Sequence, residues 1–343
     1  VPLAEAREKA AELRRLVKDG VDPLEQRATD AAAAKAAEQQ AAAKAKTFRD
    51  VADLYLNAHN AGWRNPKHRQ QWRNTLATYA HPHMGDLPVA DVETAHVMAA
   101  LEPIWQVKPE TASRVRGRIE SVLDYAKARG WRDGENPARW RGHIANLLPA
   151  PGKVARVKHH AALAWQEMGA LMQALGKQDD VAALALAFAI LTATRSGEVL
   201  GARWSEIDMH AGVWTIPAIR MKGGREHRVP LSKPALAILR TVAKLSDEKT
   251  TDAYVFPGAR AGKPLSAMAM AMVLRRMNRA DITVHGFRST FCDWCSECIG
   301  CPREVAEAAL AHTLGDKVEA AYRRGDLFER RRRLMQDWGA WCS

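Results

Sequence analysis

No apolar run in this 343-residue chain is long enough to cross a bilayer: the longest, Val181 to Leu191, has eleven residues, where about twenty are needed. No basic, apolar and small-residue leader opens the chain, so secretion is not expected, and a start at Val1 without methionine reads as a fragment or a trimmed chain. Cysteine is scarce and unevenly placed. Of five, four crowd between Cys292 and Cys301, unlike the dispersed spacing of a disulfide framework. Acidic residues are in deficit, 39 against 51 lysines and arginines, giving a net charge of +12. Such an excess attracts polyanions, of which nucleic acid is the commonest in a cytoplasm. At 47% hydrophobic and 26% charged residues, wholesale disorder is excluded, and the length holds two domains or three at roughly 150 residues each.

Internal repeats are absent, and so are glycine and proline between Leu24 and Ala61. Residues 1 to 21 read as an amphipathic helix stopped by Gly20, and alanine-rich residues 31 to 46 as a stiff helical spacer with almost nothing to bury. Thr47 and Asp50 then have capping-box-like spacing, and Phe48, Val51, Leu54 and Tyr55 form an apolar stripe that opens a packed helical domain. A second helix runs from Pro109 to Gly130, with Ala112, Val115, Ile119, Val122, Leu123 and Ala126 on one face and Arg114 and Arg118 pointing away. Between these helices, Trp63 to Arg73 contains no acid, and Arg64, Lys67, Arg69 and Arg73 alternate with aromatics. Such a stretch can hold a phosphate backbone, or it is a solvated basic face with two tryptophans folded inward. Pro, Gly and basic residues from Leu147 to Lys158 read as an interdomain linker. Beyond it the pattern is helical except for one β region. There Val213–Ile216 and Arg225–Leu231 flank Gly223-Gly224, whose glycines can supply the positive φ of a tight hairpin. The fold class is therefore mainly α with a small antiparallel β-sheet.

Chemistry concentrates in the second half. Arg195 follows the buried apolar helix in Thr-Ala-Thr-Arg195-Ser-Gly-Glu198. Lys222 precedes the double glycine, and His285-Gly-Phe-Arg288 sets an imidazole and a guanidinium three residues apart. His312 closes Leu-Ala-His, and Tyr322 stands in Ala-Ala-Tyr-Arg-Arg. Taken singly, each has an ordinary explanation: an i,i+3 ion pair between Arg195 and Glu198, a solvated loop lysine, a capping histidine, a half-buried tyrosine. Together they are what phosphoryl transfer to a tyrosine hydroxyl requires. Two guanidiniums can grip both non-bridging oxygens of a phosphodiester and hold the charge of a pentacoordinate transition state. A phenol of pKa about 10 needs neighbouring cations and a base to become a nucleophile. A lysine at a mobile hairpin tip can protonate the leaving oxygen. No metal or other cofactor is required.

These motifs, in this order and approximate spacing, resemble the tyrosine recombinases, and more narrowly the integrases of genomic islands and satellite phages. The resemblance spans nearly the whole chain. It implies a remnant of an amino-terminal domain and a helical linker over 1–46, a helical core-type DNA-binding domain over 47–150, a linker over 151–157, and a mixed α/β catalytic domain of the DNA breaking-rejoining type over 158–343. It implies that Tyr322 attacks the scissile phosphate to form a 3′-phosphotyrosine, that Arg195 and Arg288 clamp that phosphate, and that Lys222 is the general acid. His285 would be base and phosphate ligand, His312 would hydrogen-bond the phosphate, and Glu198 would orient Arg195 or His285. The expected partners are double-stranded DNA attachment sites, a tetramer assembled on them, and a directionality or bending factor, in a bacterial cytoplasm at the nucleoid and with no membrane. Integration or excision of a mobile element would be the outcome.

With duplex DNA as the partner, Arg64, Lys67, Arg69, Arg73, Arg114 and Arg118 become candidate phosphate contacts. Arg330 to Arg333 could touch DNA or a neighbouring subunit, and Trp338 and Trp341 could anchor the carboxy-terminal segment on the next protomer. Cys292, Cys295, Cys298 and Cys301 are spaced like iron–sulfur ligands. On a continuous helix, however, residues three apart step round the axis by about 60°, so the four fan out and the expected role is packing. Competing readings keep the covalent chemistry in a type IB topoisomerase or a resolvase, or discard it for a non-catalytic DNA-binding regulator.

Overall fold

A computed structural model of the chain describes residues 2–20, 22–63, 66–154, 161–178, 180–245, 250, 252–312 and 325–343, with the side chains of 36–44, 66 and 67 also outside the description. Tyr322 and Arg64 therefore lie outside the described residues, as does the Lys67 side chain. The chain forms two compact units, Val1–Val157 and Lys158–Ser343, each around its own core.

The first unit is helical. Helices α1 (Leu3–Lys18) and α2 (Pro23–Lys44) open it, and no α1 side chain is buried, so the amphipathic face expected there has no cover among the described residues. A capping box starts α3 (Phe48–His59): Asp50 N donates to Thr47 Oγ1 at 3.2 Å, and Thr47 N donates to the Asp50 carboxylate at 3.1 Å. The buried stripe of α3 is Phe48, Val51, Ala52 and Leu56, while Leu54 is exposed. Leu54, expected on the stripe, lies about 140° round the helix from its mean direction at 100° per residue. Short α4 (Pro66–Thr75) and α5 (His81–Met84) lead to α6 (Thr94–Trp105) and α7 (Pro109–Ala128), which pack on one another. All six apolar positions expected on the inner face of α7 are buried. Both tryptophans of the basic stretch join an aromatic cluster, with Trp72 5.4 Å from Trp63 and 5.3 Å from Tyr55, centroid to centroid. The first half of the expected linker folds back: Pro149 O accepts the Trp105 indole N–H at 2.9 Å, and Pro151–Val154 is a short helix, α8.

In the second unit, α9 (Met168–Leu175) precedes α10 (Val181–Thr192), which Asp180 caps through Ala183 N at 2.8 Å. After α11 (Ser196–Leu200) comes an antiparallel sheet of β1 (Ile207–Asp208), β2 (Val213–Ile216) and β3 (His227–Pro230), in that order, with Val213 opposite Pro230 and Ile216 opposite His227. The β2–β3 connection departs from the expected tight hairpin. It spans 217–226 and includes a turn of 3₁₀ helix at Ala218–Arg220, and only Gly224 of the two glycines takes a positive φ, +64°. The two-residue strand β1 gives no sequence signal at all. Helices α12 (Lys233–Leu245), α13 (Ala269–Arg276), α14 (Gly286–Glu297), α15 (Arg303–Ala309) and α16 (Phe328–Cys342) complete the unit.

Phe188, Trp214, Phe256, Phe291, Trp294 and Trp338 are the large side chains of its core. Trp338, expected as an anchor for another protomer, is fully buried and donates to Ile190 O at 2.9 Å; Trp341 donates to Trp165 O at 3.1 Å. Within Arg330–Arg333, Arg331 is also buried, held by Asp326 and by Arg228 O at 2.6 Å, so it is not a surface contact. Among the described residues no helix is long and apolar enough to cross a membrane.

Candidate active site

Two left-handed turns build the site. Helix α10 is apolar all round and buried, which fixes its end rigidly. There Ala193 adopts φ +51°, and the chain reverses into Arg195, the cap residue of α11. The Glu198 carboxylate is almost wholly buried and uses both oxygens on one residue: it accepts from Arg195 N at 2.9 Å and from Arg195 Nη1 at 2.9 Å. Arg195, one of the two partners expected for Glu198, is thus held by it. Helix α15 ends the same way. Ala311 takes φ +50°, and His312 N donates back to Glu307 O at 3.0 Å, which swings the His312 ring over the last turn.

Helix α14 supplies the second guanidinium. Gly286, between His285 and Phe287, sits against residues 161–162 so closely that a Cβ would lie 2.1 Å from Ala161 O. Only glycine fits there. Arg288, one turn into α14 on its inner side, is 5% exposed. It donates to Ala193 O and, at 2.7 Å, to Leu310 O, while Arg195 Nη2 donates to Ala311 O at 3.4 Å. Both arginines are thus held by carbonyls at the ends of α10 and α15, where unpaired acceptors and the negative end of the helix dipole favour a cation. Burial, and then the neighbouring Arg195 cation, push the Arg288 pKa down to about 10. The guanidinium stays charged at neutral pH but is short of counter-charge, the state in which a bound anion gains most.

Arg195, Lys222, His285, Arg288 and His312 line one cleft of about 440 Å³, together with Gly223, Glu307 and Ala311. Five side chains singled out over more than a hundred residues of sequence are therefore brought together within the second unit. Lys222 reaches the cleft from the β2–β3 connection. Glu307 escaped the sequence reading: its Oε2 lies 2.6 Å from His312 Nδ1, and His312 Nε2 lies 2.9 Å from Arg288 Nη2. His227 was also passed over as an ordinary strand residue. It is buried beside Arg331, and desolvation with that cation pushes its pKa down to about 4.

The candidate phosphate contacts of the first unit divide. Arg114 and Arg73 are exposed and, among the described residues, pair with Glu110 at 2.7 Å and Asp53 at 3.8 Å. Arg69 is committed to Asn60 and Asn57 side-chain oxygens at 3.0 and 2.7 Å. Arg118, expected to point outward, is buried. It donates to Gln71 O at 2.7 Å and lies 5.2 Å over the Trp72 ring, because the aromatic cluster curls over that flank of α7. Cys292 and Cys295 are spaced round the helix as rotation requires, but α14 ends at Glu297 and Cys301 turns back to Cys295, whose carbonyl accepts from Cys301 N at 2.8 Å. Cys292 is half-buried and Cys295 buried on α14, Cys298 is exposed at its end, Cys301 follows, and all are free thiols. Among the described residues no group of three or more His, Cys, Asp or Glu could hold a metal ion.

Comparison with known proteins decides the family. The profile of the phage integrase family matches residues 162–326, and that of the phage integrase central domain matches residues 48–143. Prophage integrase IntA of Escherichia coli (strain K12) is 31% identical over 343 residues, covering 98% of this chain and 78% of the relative. This chain belongs to the phage integrase family. It is a site-specific recombinase of the tyrosine type. The integrase of Enterobacteria phage P4 is 28% identical, over 99% of this chain and 77% of the relative. Among solved structures, a lambda integrase dimer bound to a COC′ core site superposes with a TM-score of 0.63 at 20% identity, over 85% of this integrase and 81% of that chain. A lambda integrase tetramer bound to a Holliday junction gives 0.62 at 19% identity, over 80% of each chain. Those likenesses carry the fold.

Proposed function

We propose that this integrase cleaves and rejoins duplex DNA through a 3′-phosphotyrosine at Tyr322, in the cleft between the ends of α10 and α15. The observation that supports this most is the pair of guanidiniums, Arg195 and Arg288, aimed into one cleft by helix-end carbonyls. Two such cations, one buried and poorly neutralised, suit the two non-bridging oxygens of a phosphodiester and the extra charge of its transition state. In the proposed step the Tyr322 oxygen attacks phosphorus and passes its proton to His285, the bond to the 5′-oxygen breaks, and Lys222 protonates that oxygen. His312 hydrogen-bonds the phosphate, and Glu198 keeps Arg195 in place. Since one phosphoester replaces another, the reverse attack by a 5′-hydroxyl rejoins the strand without an external energy source.

DNA is the proposed partner of both units. The solved structures similar to this chain include integrases bound to a core site, to a Holliday junction and to transposon-end DNA. Of the first-unit candidates, exposed Arg73 and Arg114 are proposed to meet phosphate, with Arg64 and Lys67 close to Arg73 in sequence. Assembly as a tetramer on paired attachment sites, help from a directionality or bending factor, and action on the nucleoid in the cytoplasm belong to the same proposal. A library of nicked duplexes that trap cleaved product tests it. Wild type should retain DNA through SDS and Tyr322→Phe should not, although both bind DNA; retention by neither would refute the proposal.

A further inference from the structure

Glu307 faces the cleft yet has no part in the chemistry proposed above. We propose that Glu307 is a positioning residue that fixes the proton arrangement of His312, holding the imidazole with its proton on Nδ1 and its Nε2 lone pair turned to Arg288 and the cleft. A guanidinium has five N–H donors and no acceptor, so at 2.9 Å from Arg288 Nη2 the Nε2 atom of His312 can only accept. A neutral ring with its lone pair on Nε2 carries its proton on Nδ1, and Nδ1 lies 2.6 Å from Glu307 Oε2, an acceptor. The opposite tautomer would set N–H against N–H at Arg288 and lone pair against lone pair at Glu307.

The backbone makes the pairing hard to avoid. His312 N donates to Glu307 O through the left-handed Ala311, so the two residues are tied at the main chain as well as at the side chains. The other ion-pair contact of Glu307 among the described residues, Arg303, is 3.8 Å away on a side chain 91% exposed, too solvated to compete, while the Arg288 cation acts on Glu307 only through its charge. Among the described residues, the ionisable groups sharing the cleft with His312 are Arg195, Lys222, His285, Arg288 and Glu307, with Cys292 of α14 near Glu307.

The inference rests on the reading that His312 meets the scissile phosphate, and it adds a condition to that reading. Toward Arg288, His312 offers an acceptor, not a donor. When a phosphate oxygen takes the Arg288 Nη2 proton as its hydrogen bond, Nε2 is released. It then donates to the phosphate once it has gained a proton from solvent, leaving an imidazolium whose charge the Glu307 carboxylate offsets.

Histidine side-chain ¹⁵N–¹H spectra of the full chain test the tautomer directly, with the His312 signals assigned by their loss in His312→Gln. Wild type should show His312 protonated at Nδ1. Glu307→Gln, whose carboxamide oxygen still accepts, should keep that tautomer and cleave nicked duplex within about threefold of wild type. Glu307→Ala should shift the ring towards the Nε2–H form and cleave on the order of tenfold more slowly, with an unchanged circular dichroism spectrum. An Nε2–H tautomer in wild type, or a Glu307→Ala variant with unaltered tautomer and rate, overturns the proposal. The two readings separate cleanly. If Glu307→Ala shifts the tautomer while His312→Gln cleaves at the wild-type rate, Glu307 does position His312 and the phosphate role of His312 is what fails.

Discussion

Removing the Glu198 carboxylate should loosen the arginine pair and destabilise the second unit by an amount the geometry allows to be worked out. Both carboxylate oxygens are occupied, one by the N–H that begins α11 and one by the Arg195 guanidinium, and the side chain is 5% exposed. Glu198→Ala therefore loses a helix cap worth about 1 kcal/mol and a charge-assisted hydrogen bond worth about 1.5–3 kcal/mol. The Arg195 side chain is 24% exposed, so water recovers part of the second contribution, and the expected net loss is about 2–3 kcal/mol. Glu198→Gln keeps one acceptor of the same reach and should lose about 1–2 kcal/mol. Urea titration followed by tryptophan fluorescence reads both, since Trp214, Trp294 and Trp338 lie in the core of that unit. Single-turnover cleavage of nicked duplex should fall with stability, Ala below Gln, because among the described residues Arg195 without Glu198 has only the Ala311 carbonyl to aim it. If both variants stay within about 0.5 kcal/mol of wild type, the pair is an ordinary surface contact and the reasoning fails.

Gly286→Ala should cost about 1–3 kcal/mol by urea titration, since its Cβ would meet Ala161 O at 2.1 Å; an unchanged midpoint would show that the 161–162 segment yields freely. His227 stays neutral when folded down to about pH 4 against an ordinary value of 6.5. The unfolded chain therefore takes up a proton that the folded chain refuses, so stability is intact above pH 6.5 and falls as the pH drops from 6.5 towards 4, by up to about 3 kcal/mol. His227→Gln should flatten that part of the urea-midpoint curve against pH, and an unaltered curve would contradict the assignment. In the first unit, Arg114→Gln should weaken DNA binding and reduce the slope of log affinity against log salt by about 0.9. Arg118→Gln should instead lower stability by about 1–3 kcal/mol, through the lost bond to Gln71 O and contact with Trp72; the opposite pattern would mean that Arg118 is the phosphate contact.

Much of this architecture can be read from periodicity. The inner face of α7, the Thr47–Asp50 box and the buried α10 all follow from residue spacing and capping chemistry, which are local. The convergence of Arg195, Lys222, His285, Arg288 and His312 is not local, and it became legible through five short motifs agreeing with one chemistry. What stayed hidden depended on reversals and long-range cover. Ala193 and Ala311 take left-handed turns that sequence reasoning reserves for glycine or asparagine, so nothing flagged the backward swing that pairs Glu307 with His312. Arg118 and Arg331 look like surface cations until an aromatic flank covers the first and the distant Arg228 carbonyl, with Asp326 five residues away, holds the second. The ten-residue β2–β3 connection was mistaken for a tight hairpin because a Gly-Gly pair suits both.

The phenolic oxygen of Tyr322 is the proposed atom that takes the DNA, and mapping the adduct tests that directly. DNA captured covalently on the wild-type protein would be digested with nuclease and protease and the modified peptide sequenced by mass spectrometry. The account predicts a nucleotide remnant on Tyr322 through a phosphodiester. A remnant on any other side chain, or capture that survives in Tyr322→Phe, would contradict it.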